Sequence, residues 1–140
     1  MSTTTHDGRH FTILLAEGDA EAREAYGASL RSQGHCVLVA STGPQALDMA
    51  PTGAPDLVLL DLCASEADGI DTLRALRSLG QSAPVILLTS EVSIRGAREA
   101  MLLGAYDYIV KPVDDGLVAN VIGEALEAIP ETSGEAACVH

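Results

Sequence analysis

Four polar side chains follow short apolar segments of this chain: Glu17, Asp61, Thr89 and Lys111. The apolar segments are continuous aliphatic runs, which are typical of strands buried on both faces of a parallel sheet. Singly, each polar residue marks only the point where a strand meets water. Because the carboxyl ends of parallel strands lie along one edge of a sheet, the four side chains are predicted to converge there.

The combination of acid, acid, hydroxyl and amine is suited to phosphoryl transfer. Two carboxylates can hold a hard divalent cation through oxygen. A hydroxyl and an ammonium group can meet the oxygens of a phosphoryl group, while a carboxylate serves as the nucleophile. Asp61 ends the near-continuous apolar run from Pro55 to Asp61, so its carboxylate is expected at the carboxyl edge of a central strand.

The hydrophobic pattern predicts five strands that alternate with five helices. Right-handed crossovers between parallel strands then give a doubly wound, three-layer α/β/α sandwich. The predicted strands are 11–16, 36–40, 55–61, 85–88 and 106–110. The first helix is expected between Asp19 and Gly34, the second opens at Thr42-Gly43-Pro44, the third follows Asp68-Gly69, the fourth runs from about Ser93 to Leu103, and the fifth begins near Asp114 and stops at Pro130. Asp19 is the expected cap of the first helix and Gly34 its stop, Pro51 is expected to end the second helix, and 62–67 is expected to be a loop.

Helical spacing also predicts which side chains face the sheet. These inward positions are Ala22, Ala25, Tyr26, Ser29 and Leu30 in the first helix, Ile94, Ala97 and Met101 in the fourth, and Leu117, Val118, Val121, Ile122, Ala125, Leu126 and Ile129 in the last.

Length and composition predict one cytosolic domain. The chain has 140 residues, 47% of them hydrophobic, and a net charge of −12, which disfavours a nucleic-acid surface. No apolar run is long enough to span a membrane, and no secretory signal is present. Three scattered cysteines favour a reducing compartment over a disulfide framework, and the histidines show no zinc-ligand spacing. Residues 1–10 are predicted to be a disordered leader, 11–129 the domain, and 130–140 a polar tail.

Over about residues 11–129 the sequence resembles the receiver domain of two-component response regulators. The resemblance rests on six ordered segments: Ile13 to Glu17, Pro55 to Asp61, Asp68-Gly69, Pro84 to Ser90, Gly104-Ala105, and Asp107 to Pro112. It implies a flavodoxin-like sheet with strand order 2-1-3-4-5. It also implies a phosphorylation-controlled switch in the cytoplasm, at most a slow autophosphatase, whose partner is a sensor histidine kinase or a phosphotransfer protein.

The resemblance implies a role for each matching residue. Asp61 matches the aspartate that accepts the phosphoryl group. Thr89 matches the hydroxyl that then bonds the phosphoryl oxygen, and Lys111 matches the lysine that pairs with it. Tyr108 matches the aromatic residue that swings inward with the hydroxyl, and Pro112 matches a proline that is usually cis.

The magnesium ligands implied by the resemblance are incomplete. Receiver domains bind Mg²⁺ through an acidic pair after the first strand, the phosphoacceptor, and a backbone carbonyl two residues beyond it, here that of Cys63. This chain reads Glu17-Gly18, so the acid that normally touches the metal is missing, and Asp19 is expected to be occupied as a helix cap. Losing a full charge at contact distance predicts weak metal binding and slow phosphorylation.

Two interpretations therefore remain open. The domain is either an inefficient phosphorylation switch or a divergent pseudo-receiver that binds a partner without phosphate. The loop Ala64-Ser65-Glu66-Ala67 also departs from the family pattern, since Ser65 replaces a common proline and Glu66 adds negative charge. Lys111 would pair with Asp61 in either case.

A partner surface is also predicted. Met101, Leu102 and Leu103 are consecutive apolar residues, and Tyr106 stands where the family often has a polar residue. The pattern is compatible with ordinary packing. The alternative is a homodimer or partner surface on the fourth helix, fifth strand and fifth helix, a face that receiver domains often use.

Two other functions fit the sequence poorly. A haloacid-dehalogenase-like phosphatase needs a second aspartate two residues after the nucleophile, and that position is Cys63. A flavin site on the same architecture needs a loop rich in Gly, Ser or Thr after the first strand. The acidic stretch Ala16 to Asp19 would repel that phosphate.

Overall fold

A computed structural model describes residues 10–61, 66–90, 94–111 and 115–129 of the chain. Its strands and helices alternate along the chain, as the hydrophobic pattern predicts. They are β1 (Thr12–Glu17), α1 (Ala20–Ser32), β2 (Cys36–Ala40), α2 (Gly43–Gly53), β3 (Leu57–Asp61), α3 (Glu66–Ser78), β4 (Val85–Thr89), α4 (Ile94–Leu102), β5 (Asp107–Val110) and α5 (Asp115–Glu127).

The five strands form one sheet in the order β2-β1-β3-β4-β5, and every observed pair of neighbours is parallel. The predicted fold class and strand order are therefore confirmed. Because all the strands point the same way, their carboxyl ends form a single edge of the sheet. This edge carries the candidate site.

Alternation of side chains along the strands divides the core into two clusters. On one face Leu14, Val58, Leu60 and Leu87 pack with buried residues of α2, α3 and α4. On the other face Ile13, Leu57, Leu59 and Leu88 pack with buried residues of α1 and α5. Strand residues 57–60 are fully buried, which explains why the sequence there is continuously apolar rather than alternating.

The helix ends follow local capping rules. The Asp19 side chain accepts a hydrogen bond from the Ala22 N–H at 2.8 Å, which confirms it as the α1 cap. Gly34 follows the end of α1 with φ of +94°, a left-handed conformation that glycine adopts without strain.

The end of α2 and the start of α3 differ from the predictions. Pro51 lies inside α2 rather than ending it, because the Ala54 N–H bonds to the Ala50 carbonyl at 3.0 Å and closes a further turn. α3 begins at Glu66, so residues 66 and 67 of the predicted loop 62–67 are helical, and its residues 62–65 lie outside the described residues.

The predicted inward positions of α4 are wrong at Ile94 and Met101, while Ala97 is half-buried. Ile94 is 82% exposed and Met101 is 51% exposed, whereas Gly96 and Ala100 are the buried residues. Small residues occupy the sheet-facing side, so the helix packs closely and turns its large apolar side chains outward. The same correction applies to Leu117 in α5, which is 47% exposed, and to Ala25 and Ser29 in α1.

Three further expectations concern membrane-spanning helices, the cysteines and the two ends of the chain. Within the described ranges, no helix is long and apolar enough to cross a bilayer. Cys36 is disulfide-bonded, so the expectation drawn from the cysteine count is wrong at this residue. Apart from His10, the predicted leader lies outside the described residues, as do the predicted tail and the position of Pro112.

Candidate functional site

Strand pairing brings the predicted residues to one edge of the sheet. Glu17 and Asp61 are direct partners at the ends of β1 and β3. The β3–β4 pairing matches Leu60 with Leu87, which places Thr89 only one residue further along the sheet than Asp61. Thr89 pairs with Val110, so Lys111 leaves β5 at the same level.

Asp61 and Lys111 form the central contact of the site. Lys111 Nζ donates hydrogen bonds to Asp61 Oδ1 at 2.8 Å and to Oδ2 at 3.1 Å. The Asp61 side chain is 1% exposed and that of Lys111 is 26% exposed. Burial acts to lower the pKa of Lys111, but the hydrogen bonds and charge of Asp61, together with Glu17, raise it overall. Lys111 is therefore fully charged at neutral pH and compensates the buried carboxylate.

Glu17 is a second buried carboxyl group next to Asp61. Its Oε2 accepts a hydrogen bond from the Asp19 N–H at 2.9 Å, and its Oε1 is buried without a hydrogen-bond donor among the described residues. Burial, and then a hydrogen bond that protonated Glu17 makes with Asp61, raise the pKa of Glu17 to about 8. At neutral pH the two adjacent carboxyl groups therefore carry mainly one negative charge between them.

Thr89 and Tyr108 lie on the strands that lead away from this pair. Thr89 is buried, and its backbone carbonyl accepts a hydrogen bond of 2.7 Å from the Lys111 N–H. This bond fixes the start of the segment that carries the lysine. Tyr108 is half-buried in β5 and packs against the core cluster that lies between the sheet and helices α2, α3 and α4.

The carboxyl edge of the sheet offers side-chain oxygen donors for magnesium. The carboxylate oxygens of Glu17 and Asp61 are the ligand type that Mg²⁺ prefers, and Glu17 Oε1 accepts no hydrogen bond from a donor among the described residues. Gly18 offers no side chain, and Asp19 is engaged as the α1 cap. No group of three or more His, Cys, Asp or Glu side chains suited to a metal occurs in the described residues. The residues present fit a magnesium ion held by two side chains.

Two residues of α1 near the site were not predicted from the sequence. Arg23 Nη1 donates a hydrogen bond of 2.9 Å to the backbone carbonyl of Glu17. Tyr26 also raises the pKa of Lys111, although by less than Asp61 and Glu17 do. The only sequence pattern that could have identified them is their position in the first two turns after the β1 end. Cys63, whose carbonyl was a predicted ligand, lies outside the described residues.

The fold and the site define a class of protein. A sheet of order 2-1-3-4-5 with a buried acid and a lysine at its carboxyl edge has the arrangement expected of a phosphorylation switch. Residues 13–122 match the response regulator receiver domain family. The chain belongs to this family, and it contains the receiver domain of a two-component response regulator.

Individual proteins show the same similarity. The transcriptional regulatory protein ZraR of Escherichia coli K12 is 38% identical over 118 residues, which cover 84% of this chain and 26% of that protein. This chain thus spans about a quarter of the length of that relative. A receiver domain of a Francisella response regulator is 27% identical with a TM-score of 0.73, covering 85% of this chain and 99% of that one. A CheX–CheY–BeF₃–Mg²⁺ complex from Borrelia burgdorferi has a TM-score of 0.74 at 22% identity, covering 83% of this chain and 89% of that one, and shows the common fold.

Proposed function

We propose that Asp61 accepts a phosphoryl group from a histidine kinase or phosphotransfer protein, slowly and with weakly bound Mg²⁺. The observation that supports this most directly is the buried Asp61 carboxylate held by Lys111 at 2.8 Å. Membership of the receiver family supports it as well, since receiver domains are generally phosphorylated by histidine kinases.

The chemistry is a single displacement at phosphorus. An Asp61 carboxylate oxygen forms a P–O bond as the P–N bond of a phosphohistidine breaks, and the imidazole leaves with the bonding electrons. Lys111 releases part of its contact with Asp61 and bonds a phosphoryl oxygen instead. Thr89 then supplies its hydroxyl to another phosphoryl oxygen, and half-buried Tyr108 moves with it.

Metal binding is the weak step in this proposal. Glu17 and Asp61 would hold the ion, as would the Cys63 carbonyl, and the ion would neutralise charge on the phosphoryl oxygens. Gly18 removes one full negative charge from the usual ligand set. A water molecule can occupy the vacant coordination position, but it does not restore the electrostatic attraction between the ion and the missing carboxylate. The CheX–CheY complex named above contains BeF₃ and Mg²⁺, which makes the same pair the right probe for this chain.

The output of the switch is proposed to be the α4–β5–α5 face. Four large apolar side chains of this face are exposed: Ile94, Met101, Leu102 and Leu117. The backbone carbonyl of Thr89 accepts a hydrogen bond from the Lys111 N–H at the end of β5. A movement of Thr89 would therefore move β5 and change the α4–β5–α5 face. A partner, an output domain or a second copy of the chain would bind there.

A phosphate-independent interaction module is the second candidate. The Gly18 substitution and the exposed apolar face favour it, because the face exists without any phosphoryl group. The Asp61–Lys111 pair would then serve stability alone.

The deciding experiment is treatment with acetyl phosphate and Mg²⁺, followed by intact mass. We expect a slow gain of one phosphoryl group that is lost in Asp61→Asn. BeF₃ with Mg²⁺ is expected to shift the NMR resonances of Thr89 and Tyr108. No mass gain and no shift at high Mg²⁺, together with a response in Gly18→Asp, would contradict phosphorylation of this chain and favour the interaction module.

A further inference from the structure

A groove runs between α2 and α3 on the solvent side of the helix layer. Its volume is about 780 Å³, and it is open to solvent along one side. Leu47 and Pro51 of α2 and Ala75 and Leu79 of α3 form its apolar lining. Pro51 and Leu79 are exposed. An open apolar groove between two helices suits a third helix, because the side chains of one helix pack into the grooves of its neighbours.

The surroundings of the groove carry more negative than positive charge. Asp48 lies on the α2 wall, is exposed, and makes no ion pair with another described residue. On the α3 wall Asp71 pairs with Arg74 at 2.9 Å, and the same guanidinium group also bonds Glu99 of α4. Among these residues three carboxylates accompany one guanidinium group. The groove therefore favours an apolar helix that brings positive charge.

The exposed face of α4 has this composition. Its large apolar side chains Ile94, Met101 and Leu102 are exposed, and the side chains of Arg95 and Arg98 are exposed beside them. Neither arginine bonds to another residue that the structure describes. The nine residues of α4 extend about 13 Å, and the groove residues of α3 extend about 12 Å along that helix. The helix and the groove are therefore complementary in polarity, charge and length.

The charged groups of α4 and of the groove also lie at the same level. α2, α3 and α4 each follow a strand that ends at the carboxyl edge, so the three helices begin at similar levels. Asp48 and Asp71 are the sixth residues of α2 and α3, and Arg98 is the fifth residue of α4. A two-fold axis parallel to α3, between two facing helix layers, lays α4 of each copy over the α2 side of the other and preserves this level.

We infer that two copies of this chain associate through α4 of each copy, which binds in the α2–α3 groove of the other. Each copy contributes the same helix and the same groove, so the contact is isologous and closes as a dimer. Exposed apolar side chains become buried, and each Arg98 gains the carboxylate of Asp48 as a partner. Because two contacts of this length form a small interface, the dimer depends on protein concentration.

This dimer controls access to α4. It covers Met101 and Leu102, which belong to the proposed output face, and it leaves β5 and α5 uncovered. Self-association and binding of an output partner to α4 therefore exclude each other. Only this consequence rests on the proposed function. The dimer itself does not require phosphorylation of Asp61, so a negative result with acetyl phosphate would not affect it.

Charge reversal on the two sides of the contact tests the inference. The measurement is size-exclusion chromatography with light scattering in about 0.15 M salt, where charges are screened beyond about 8 Å. Asp48→Lys and Arg98→Glu are each expected to give monomers. A mixture of the two variants is expected to restore the dimer, because one contact keeps its original charge pair and the other has the pair reversed.

Two exposed leucines distinguish this dimer from one built on the α4–β5–α5 face. Leu79→Glu, in the groove, is expected to prevent self-association, and circular dichroism checks that the variant is folded. Leu117→Glu, on α5, is the matched control and should leave the dimer intact. The opposite pattern for the two leucines, a mixture of the charge variants that stays monomeric, or a parent that is monomeric at every concentration would each overturn the inference.

Discussion

Lys111 donates hydrogen bonds to both carboxylate oxygens of Asp61, at 2.8 and 3.1 Å, while Asp61 pairs in register with buried Glu17. The positive charge of Lys111 thus compensates the negative charge of Asp61, which has the carboxyl group of Glu17 beside it. The Asp61 carboxylate therefore stays charged in a buried position, while Glu17 remains mainly protonated at neutral pH.

Lys111→Met is expected to lower the free energy of unfolding at pH 7. Removing the lysine leaves the Asp61 carboxylate buried without its counter-charge, which costs about 1–3 kcal/mol for a pair that is partly open to water. Urea unfolding measures the loss. Arg98→Met, at an exposed position of α4, is the matched control. Equal stability of the two variants would show that the ion pair contributes nothing.

Glu17→Gln is expected to change how stability depends on pH. The pKa of Glu17 rises from 4.5 to about 8 in the folded protein, so between these values the folded state binds more protons than the unfolded state. Stability from this group is complete below pH 4.5 and is lost as pH rises through about 8. Without Mg²⁺, the parent protein should therefore lose more stability than Glu17→Gln between pH 6 and 9. Parallel profiles in urea unfolding would refute the raised pKa.

Gly18→Asp is expected to strengthen Mg²⁺ binding and to speed phosphorylation by acetyl phosphate. The position is exposed, and positive φ among the described glycines occurs only at Gly34, Gly80 and Gly104, so a side chain here is not strained. One added carboxylate should raise the Mg²⁺ affinity and the phosphorylation rate about tenfold or more, and a factor of ten corresponds to about 1.4 kcal/mol. Gly18→Asn has the same shape without the charge and should gain little. An equal gain in both variants would rule out charge as the cause.

Arg77→Met is expected to destabilise the fold by about 2–4 kcal/mol, because one partly buried guanidinium group satisfies four backbone carbonyls. These acceptors are the carbonyl oxygens of Gln81, Ala83, Leu103 and Gly104, at 2.8 to 3.0 Å. The arginine thus joins the end of α3 to the end of α4. Thermal and urea unfolding measure the effect, again beside Arg98→Met. Less than about 0.5 kcal/mol would show that water replaces the arginine at little cost.

Leu102→Glu is expected to prevent self-association through the α4–β5–α5 face. Leu102 is 80% exposed among other exposed apolar side chains, and a charged side chain in its place would lose its hydration if this face were buried. Size-exclusion chromatography with light scattering should show a concentration-dependent dimer for the parent and a monomer for the variant. Ser29→Glu, on exposed α1, is the control. Monomers at all concentrations for the parent would exclude a homodimer and leave another partner.

The orientation of α4 shows why sequence periodicity was insufficient there. Spacing alone placed Ile94, Ala97 and Met101 inward, because large apolar side chains are normally buried. The packed helix instead buries Gly96 and Ala100, since small side chains allow close approach to the neighbouring elements. Hydrophobicity gave the right period but the wrong face, and only packing against the rest of the fold distinguishes the two.

The sequence by itself determined the family, the order of strands and helices, and the positions of Glu17, Asp61 and Lys111 at strand ends. The family follows from the resemblance of six ordered segments. The strand ends could be placed because buried parallel strands are continuous apolar runs, and a residue that ends such a run lies at the sheet edge. The tertiary structure alone decided the charge state of Glu17, the contacts of Arg77 with Leu103 and Gly104, and the disulfide-bonded state of Cys36. Each of these depends on distances between groups far apart in the chain, which local pattern does not specify.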